Sequence, residues 1–271
     1  MDLDDIDRIA AAAEAADGVA PLDEATRLTL ANRPEQVRTW QRDDAFALLI
    51  EGELSLVVHP DARGRGVGGA LLGEVLRDEP AAQRAWLHGD HPAAGRLAAR
   101  HGFDRVRELW VMRRPLQTEL GDVEFGDGVT IRGFAPGDEH ELLRVNAAAF
   151  AQHPEQGAMD RVNLAERMAE PWFDPAGLLV ATDGDRMLGF HWTKRHSPEL
   201  GEVYVVGIDP AAQGRGLGKA LTLAGLHHLA DGGAREVLLY VESDNTPAIA
   251  VYRRLGFTHA AADTHAMYHR R

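Results

Sequence analysis

The stretches VVHPDARGRGVGGALL (residues 57–72) and GIDPAAQGRGLGKALT (residues 207–222) share the pattern His/Asp-Pro-x-x-x-Gly-Arg-Gly-x-Gly-x-Ala-Leu. A second matching pair follows in the same order, HPAAGRLAARHGF (residues 91–103) and NTPAIAVYRRLGF (residues 245–257). Two ordered matches that lie about a domain length apart indicate an internal duplication. We therefore expect two tandem domains, the first over residues 1–120 and the second over residues 125–271.

Strand-like and helix-like segments alternate in the second unit. LGEVYVVGIDP (residues 200–210) is an apolar strand that stops at Pro210, and a helix-forming stretch with periodic leucines follows the glycines. REVLLYVES (residues 235–243) is typical of a buried strand. The alternation predicts an α/β fold in each unit, with a mixed sheet and flanking helices.

The glycine-rich loop between strand and helix has the properties of an anion cradle. Glycines let the backbone bend and approach a ligand closely, and the free N–H groups at a helix start attract phosphate. Arg215 adds a positive charge at the rim. Neither a Walker lysine with Ser/Thr nor the Rossmann spacing is present. On these residues alone, a glycine-rich helix entry without a ligand is an equally open reading.

The loop resembles the coenzyme A loop of the Gcn5-related N-acetyltransferases (the GNAT family), whose pattern is Gln/Arg-x-x-Gly-x-Gly/Ala. Both Gln213–Gly218 and Arg63–Gly68 fit this pattern. A later family pattern, Asn-x-x-Ala-x-x-x-Tyr-x-x-x-Gly-Phe, is matched within residues 245–257. The resemblance implies two tandem GNAT domains, acetyl-CoA as the co-substrate, and a splayed strand at residues 206–208 that holds the pantetheine arm.

The resemblance also implies which residues bind acetyl-CoA in each copy. In the second copy they are Val206, Gly207, Ile208, Gln213, Gly214, Arg215, Gly216, Leu217, Gly218, Lys219, Asn245, Thr246, Pro247, Ala248, Ile249 and Ala250. In the first copy they are Leu56, Val57, Val58, Arg63, Gly64, Arg65, Gly66, Val67, Gly68 and Gly69.

Acetyl transfer to an amine needs a base for the ammonium proton and an acid for the leaving thiolate. Glu202 stands four residues before Val206, so regular alternation would place both side chains on one face of the strand, near the thioester. We expect Glu202 to be the base, acting directly or through water. Tyr252, which the resemblance places at the sulfur of coenzyme A, is the expected acid. A solvated carboxylate and a packed tyrosine are the alternative readings.

The first copy lacks both proton-handling residues. Gly52 stands where the second copy has Glu202, and Ala98 stands where it has Tyr252. Glu51 and Glu53 flank Gly52, but adjacent strand residues point to opposite faces. We therefore expect the first domain to bind acetyl-CoA without catalysing transfer.

A closer resemblance covers nearly the whole chain and rests on HPEQG, EPWFDP, GFHWTK and LLYVESDN. These segments are similar to tandem members of the family that acetylate the cysteinyl amine of a cysteine–glucosamine–inositol conjugate. The resemblance implies that acceptor-binding residues are Glu24, Glu155, Lys194, Glu202 and Tyr240. Solvated charges, a loop carboxylate and a core aromatic are the alternative readings of these positions.

Composition excludes several other classes of function. The net charge of -13 argues against a nucleic-acid partner, and the absence of cysteine excludes disulfides and a thiol nucleophile. The acidic start and the lack of a long apolar run predict a cytoplasmic protein without a membrane partner. We expect a monomer.

Two motifs that the sequence does not contain bear on the chemistry. Thirteen histidines include no His-Glu-x-x-His motif, so no metal is expected, and no Gly-x-Ser-x-Gly elbow occurs, which favours direct transfer. Two other functions stay open on the sequence alone. One is a GNAT enzyme for another amine, such as a protein N-terminus or an aminoglycoside, and the other is a noncatalytic acetyl-CoA sensor.

Overall fold

A computed structural model describes residues 3–126, 128–152 and 154–271, and the side chains of Pro154 and Glu155 lie outside the description. The helices are α1 (Leu3–Asp17), α2 (Glu24–Asn32), α3 (Val67–Asp78), α4 (Pro92–Arg100), α5 (Glu139–Ala149), α6 (Pro154–Gly157), α7 (Arg161–Met168), α8 (Leu217–Asp231) and α9 (Thr246–Arg254). The strands are β1 (Arg38–Arg42), β2 (Ala45–Ile50), β3 (Glu53–Val58), β4 (Arg84–Leu87), β5 (Phe103–Pro115), β6 (Thr130–Gly133), β7 (Leu178–Asp183), β8 (Arg186–Arg195), β9 (Leu200–Ile208), β10 (Glu236–Glu242) and β11 (Thr258–Arg270).

The chain forms two compact units, each of which is built from separate segments of the sequence. Unit 1 contains Met1–Val111, Glu242–Asp244 and Ala260–Arg271, and unit 2 contains Met112–Val241 and Asn245–His259. The end of the chain therefore supplies most of β11 to unit 1. The division into residues 1–120 and 125–271 stays a prediction about domains.

Each unit contains a mixed sheet. The strand order in unit 1 is β1-β2-β3-β4-β11-β5, with β3 parallel to β4 and the pairs β1/β2, β2/β3 and β4/β11 antiparallel. In unit 2 the order is β5-β10-β9-β8-β7-β6, with β9 and β10 parallel and the pairs from β9 to β6 antiparallel. The mixed α/β architecture agrees with the sequence prediction.

The duplicated sequence forms the same local structure twice. In both units a strand (β3 or β9) ends in a single turn of 3-10 helix, Pro60–Ala62 or Pro210–Ala212. A glycine-rich loop follows and leads into a long helix (α3 or α8), which packs on the strands of its own unit. The proline after each strand removes a ladder donor and ends the strand, so the loop begins at the same point in both copies.

The sheet of unit 2 has two faces that carry different side chains. Phe190 and Trp192 of β8 point to the face covered by α5 and α7, which we call the front face. His191 points to the opposite, back face, where its Nδ1 lies 2.8 Å from the Leu221 carbonyl oxygen of α8. Burial lowers the pKa of His191 to about 4, so this ring is a neutral core residue. α8 therefore covers the back face and leaves the front face to other elements.

None of the helices in the described part of the chain combines the length with the apolar character needed to cross a membrane.

Candidate active site

The glycine loop of unit 2 has the backbone geometry of an anion cradle. Gly214 and Gly216 adopt positive φ values of 79° and 76°, which other residues reach only with strain. Gly216 is the N-cap of α8 and supplies no side-chain hydrogen bond to the helix. The first N–H groups of α8 are thus left to a ligand or solvent, and open space surrounds both glycines. A pyrophosphate group fits these properties.

Asp209 fixes the junction between β9 and the loop. Its carboxylate accepts hydrogen bonds from Arg144 Nη1 at 2.8 Å, the Ala211 N–H at 2.9 Å and Arg186 Nη2 at 3.1 Å. The Arg144 guanidinium, together with the Ala211 N–H, lowers the pKa of Asp209 to about 2. The turn that starts the cradle is therefore tied to α5 and β8 by a buried, ionised carboxylate.

The strands β9 and β10 separate beyond their first few residues. Their parallel register joins Leu200–Val203 with Glu236–Leu239 and stops there, although β9 continues to Ile208 and β10 to Glu242. The predicted pantetheine-binding residues Val206, Gly207 and Ile208 lie in the part of β9 beyond this register. Their backbone groups on the side toward β10 are therefore placed to bind an extended ligand.

A β-bulge interrupts β9 between Glu202 and Val206. Trp192 of β8 is opposite Val205 and Thr193 is opposite Val203, so Tyr204 is an extra residue in β9. The two flanking glycines show the effect. A Cβ on Gly201 would lie 2.9 Å from Leu229 of α8, whereas one on Gly207 would lie 2.6 Å from Phe190 on the front face.

The expectation that Glu202 and Val206 share a face is therefore wrong. The positions of Gly201 and Gly207 differ by six, so in a regular strand, where faces alternate with every residue, both would lie on the same face. Because of the bulge they do not, so Glu202 points to the front face and Val206 to the back face. The alternation of side chains along the sequence did not predict this, because no residue in VYVV (residues 203–206) indicates an inserted position.

Glu202 is a buried carboxylate with a histidine partner. It is only 4% exposed, and its Oε2 lies 2.6 Å from Nε2 of His196. In the sheet Glu202 is opposite Lys194 of β8 and Leu238 of β10. Two residues predicted to bind the acceptor, Glu202 and Lys194, are thus neighbours on the front face. His196 was not predicted, although its position two residues after Lys194 places it on the same face.

Aromatic rings lie beside this pair. The Lys194 ammonium lies 4.7 Å from the ring centroid of Trp172 and 5.2 Å from that of Tyr204. The Cζ atom of Arg167 lies 5.7 Å from the ring centroid of Tyr204. Trp172 comes from the EPWFDP segment and Tyr204 is the bulged residue. The front face near Glu202 therefore combines cations with aromatic surface, an arrangement suited to a polar acceptor.

Tyr240 and Tyr252 lie on different elements. Tyr240 is in β10, two residues after the partner of Glu202, and is 41% exposed. Tyr252 lies in α9, with its ring 5.8 Å from that of Phe257. Burial raises the pKa of Tyr252 to about 12, so the phenol keeps its proton at neutral pH. A protonated phenol is the state that an acid for a thiolate requires.

The Asn-x-x-Ala part of the second family pattern has a local structural reason. Asn245 is the N-cap of α9, and its side-chain oxygen accepts a hydrogen bond from the Ala248 N–H at 3.2 Å. Thr246 and Pro247 form the first helical positions. Proline is tolerated there because the N–H group that it lacks would have no acceptor within the helix. Residues 245–250, predicted to bind acetyl-CoA, therefore form the start of α9.

The remaining predicted acceptor residues are less defined. Glu155 belongs to α6, but its side chain lies outside the described residues. Glu24 is the first residue of α2 in unit 1, next to the N-cap Asp23. Its role in acceptor binding stays a prediction.

The first copy has a similar cradle with different surroundings. Gly64 and Gly66 adopt φ values of 75° and 84°, and Gly66 is likewise an N-cap without a side-chain hydrogen bond. Arg63 donates two hydrogen bonds to Asp17 of α1, at 2.6 and 2.8 Å. The glycine geometry of the cradle is thus present in both units, while Gly52 and Ala98 stand where unit 2 has Glu202 and Tyr252.

Within the described residues, no group of three or more His, Cys, Asp or Glu side chains could hold a metal ion. The adjacent His227 and His228 diverge, as their contacts show. His227 Nε2 lies 3.0 Å from the Gly121 carbonyl oxygen, and His228 Nε2 lies 3.1 Å from Asp174 Oδ2.

Comparison with known proteins identifies the family. Residues 144–257 match the model of the acetyltransferase (GNAT) family, and residues 29–105 match a second acetyltransferase (GNAT) domain. The chain belongs to the GNAT acetyltransferase family. The predicted fold class, with two tandem domains of this family, is confirmed, and so is the predicted enzyme class. Members of the family use acetyl-CoA as co-substrate.

Relatives of known name match the chain over almost its full length. A mycothiol acetyltransferase from a Nocardioides species is 63% identical, with 97% of this chain and 95% of the relative covered. Another from Nocardia farcinica is 50% identical, with 96% and 92% covered. The crystal structure of a GCN5-related N-acetyltransferase from Sphaerobacter thermophilus superposes with a TM-score of 0.69 at 24% identity, covering 98% of this chain and 91% of that one.

The Asp209 junction predicts a specific dependence of stability on pH. Since its folded pKa of about 2 lies below the ordinary aspartate value, ionised Asp209 stabilises the fold above pH ~4, and this contribution disappears as the pH falls toward 2. Asp209→Asn should lower the free energy of unfolding by about 2 kcal/mol at pH 7, with a smaller difference at pH 3. Urea unfolding across this pH range measures both values.

Asp183→Asn is the matched control, because Asp183 forms an exposed pair with Arg215 at 3.9 Å. It should change stability by less than roughly 0.5 kcal/mol at every pH. Equal losses in the two variants would contradict the assigned role of Asp209.

Proposed function

We propose that the protein transfers the acetyl group of acetyl-CoA to the cysteinyl amine of a cysteine–glucosamine–inositol conjugate, the last step of mycothiol biosynthesis. The full-length relationship at 63% identity to a mycothiol acetyltransferase carries the choice of acceptor. The geometry around Glu202 and the glycine cradle supports the chemistry of acetyl transfer. The two lines of support are independent, since one concerns the substrate and the other the reaction.

In this proposal the second unit holds acetyl-CoA through backbone groups. The loop from Gln213 to Lys219 and the uncapped start of α8 bind the pyrophosphate. The segment Val206–Ile208, beyond the register with β10, binds the pantetheine arm and polarises the thioester carbonyl. Residues 245–250 at the start of α9 complete the binding surface.

The proton transfers follow from the charges of the reactants. The acceptor arrives as an ammonium ion and loses one proton to Glu202, directly or through water, so that its nitrogen has a lone pair. That nitrogen attacks the thioester carbon, and the carbon–sulfur bond breaks. The leaving thiolate takes the proton of Tyr252, and the second nitrogen proton restores the phenol. One proton per turnover passes to the solvent.

Acceptor binding is assigned to the front face of unit 2. Lys194 and Glu202 are opposite each other there, and Tyr240 follows the β10 partner of Glu202. Trp172 and Tyr204 add aromatic surface against which the sugar rings can pack. We further propose that Glu24 and Glu155 bind the acceptor, and that unit 1 binds acetyl-CoA without catalysis.

Several other properties accompany the proposal. We expect a monomer that acts in the cytoplasm with a small-molecule amine, without a nucleic-acid or membrane partner and without a metal. Light scattering and cell fractionation test the first two expectations, and activity after treatment with a chelator tests the last.

Mass spectrometry of an amine panel tests the proposed acceptor. The protein is incubated with acetyl-CoA and one amine at a time. The amines are the cysteinyl pseudodisaccharide, the pseudodisaccharide without cysteine, a peptide with a free N-terminus, and an aminoglycoside. We expect the acetyl mass increment on the cysteinyl compound, with kcat/KM at least about tenfold above the others, because a site built for several polar groups loses affinity when they are absent. Preference for another amine would replace the acceptor, and acetyl-CoA binding without any product would favour the sensor function.

The two proton-handling residues predict different pH profiles. Glu202→Gln and Tyr252→Phe should each lower kcat by roughly 10² to 10⁴-fold while leaving acetyl-CoA affinity largely intact. Glu202→Gln should also remove the acid limb of the profile. Because the pKa of Tyr252 is about 12, its loss should lower the rate by a constant factor between about pH 6 and 9. Wild-type turnover in either variant would exclude that residue from the mechanism.

A further inference from the structure

The buried carboxylate of Glu202 has a specific partner that neither the sequence patterns nor the proposed roles include. Its side chain is 6% exposed, whereas that of His196 is 34% exposed and therefore reaches the surface. Nε2 of His196 lies 2.6 Å from Oε2 of Glu202. In the carboxylate form that the proposed base requires, Glu202 only accepts hydrogen bonds, so we assign Nε2 of His196 as the donor.

We propose that His196 is the positioning residue for Glu202 and that its hydrogen bond to Oε2 turns the carboxylate so that Oε1 remains for the amine proton. This inference rests on the proposed function, in which Glu202 is the base. A hydrogen bond to Oε2 makes the two carboxylate oxygens unequal, because one is occupied and the other is available. It also stabilises the charged form, which burial by itself would disfavour.

The hairpin between β8 and β9 fixes the ring in place. The His196 N–H donates to the Leu200 carbonyl oxygen at 3.0 Å, and Ser197 Oγ accepts from the Leu200 N–H at 3.1 Å. Arg195 points the opposite way and donates to the Gly232 carbonyl oxygen at 2.7 Å. Lys194 and His196, on alternate residues, therefore face Glu202 together.

The other groups that face Glu202 define its electrostatic surroundings. β8 contributes Lys194, the register partner of Glu202, and the turn after β8 contributes the His196 ring. β10 contributes the apolar Leu238. Lys194 is also positioned over the rings of Trp172 and Tyr204. The imidazole is thus the neighbour whose ring hydrogen bond selects one oxygen of the carboxylate.

A set of substitutions separates this role from a structural one. His196→Gln keeps an N–H donor at nearly the same reach, His196→Leu removes the donor at similar size, and Ser197→Ala disturbs the same turn without touching Glu202. For each variant, kcat/KM for the acceptor is measured against pH, together with KM for acetyl-CoA. Carbon NMR of glutamate-labelled protein follows the ionisation of the Glu202 carboxyl without substrates, and the Glu202→Gln spectrum assigns its signal.

We expect His196→Leu to lower kcat/KM by about 10- to 100-fold near pH 7, because a hydrogen bond to a charged group is lost. The acid limb of the rate profile and the NMR ionisation of Glu202 should both move to higher pH by a similar amount. His196→Gln should restore most of the activity, and neither it nor Ser197→Ala should move the limb. KM for acetyl-CoA should be unchanged in all three.

Two results would overturn the inference. One is an unchanged NMR ionisation of Glu202 in His196→Leu, and the other is an equal shift in Ser197→Ala. Because the NMR measurement needs no acceptor, it decides the role of His196 even if the proposed acceptor is wrong. If the ionisation shifts in NMR while the rate profile of Glu202→Gln keeps its acid limb, then His196 positions Glu202 but Glu202 is not the base.

Discussion

The separation of β9 from β10 is the constraint on which the site depends. The two strands pair over four residues each and then continue without that register. Parallel strands that are hydrogen-bonded along their whole length offer no backbone groups to a ligand, whereas separated strands do. The bulge at Tyr204 lies where the register ends and turns Glu202 away from the face of Val206. One inserted residue thus places the side chains of Glu202 and Val206 on opposite faces of the same strand.

Glu202 in β9 and Asp209 just after its end are two buried carboxylates with different surroundings. Asp209 receives two arginine guanidinium groups and a backbone N–H, so its charge is fully compensated and its role is structural. Glu202 lies 2.6 Å from Nε2 of His196 and opposite Lys194 in the sheet, so among the described residues it has fewer strong donors than Asp209. The larger number of strong donors explains why the pKa of Asp209 is lowered to about 2.

The sequence predicted the repeated elements well because their signals are local. Pro210 and the glycines at positions 214 and 216 each act on the backbone within a few residues, and the structure shows the end of the strand and the bent loop where they were expected. The sequence did not predict that most of β11 belongs to unit 1, because this depends on the pairing of β11 with β4, which is distant in the sequence. The bulge at Tyr204 was missed because it is defined by the pairing of β9 with β8, and the partner His196 was missed because its contact with Glu202 crosses the turn between these strands.

Hydrogen exchange of the backbone amides, with and without acetyl-CoA, tests the central claim most directly. The claim is that the separated part of β9 and the glycine loop of unit 2 bind acetyl-CoA through the backbone. We predict slower exchange for Val206–Ile208 and for Gly214–Lys219 when acetyl-CoA is present, since bound N–H groups exchange only when the ligand leaves. Slower exchange confined to Gly64–Gly69 of unit 1, or none in either loop at saturating acetyl-CoA, would contradict the account.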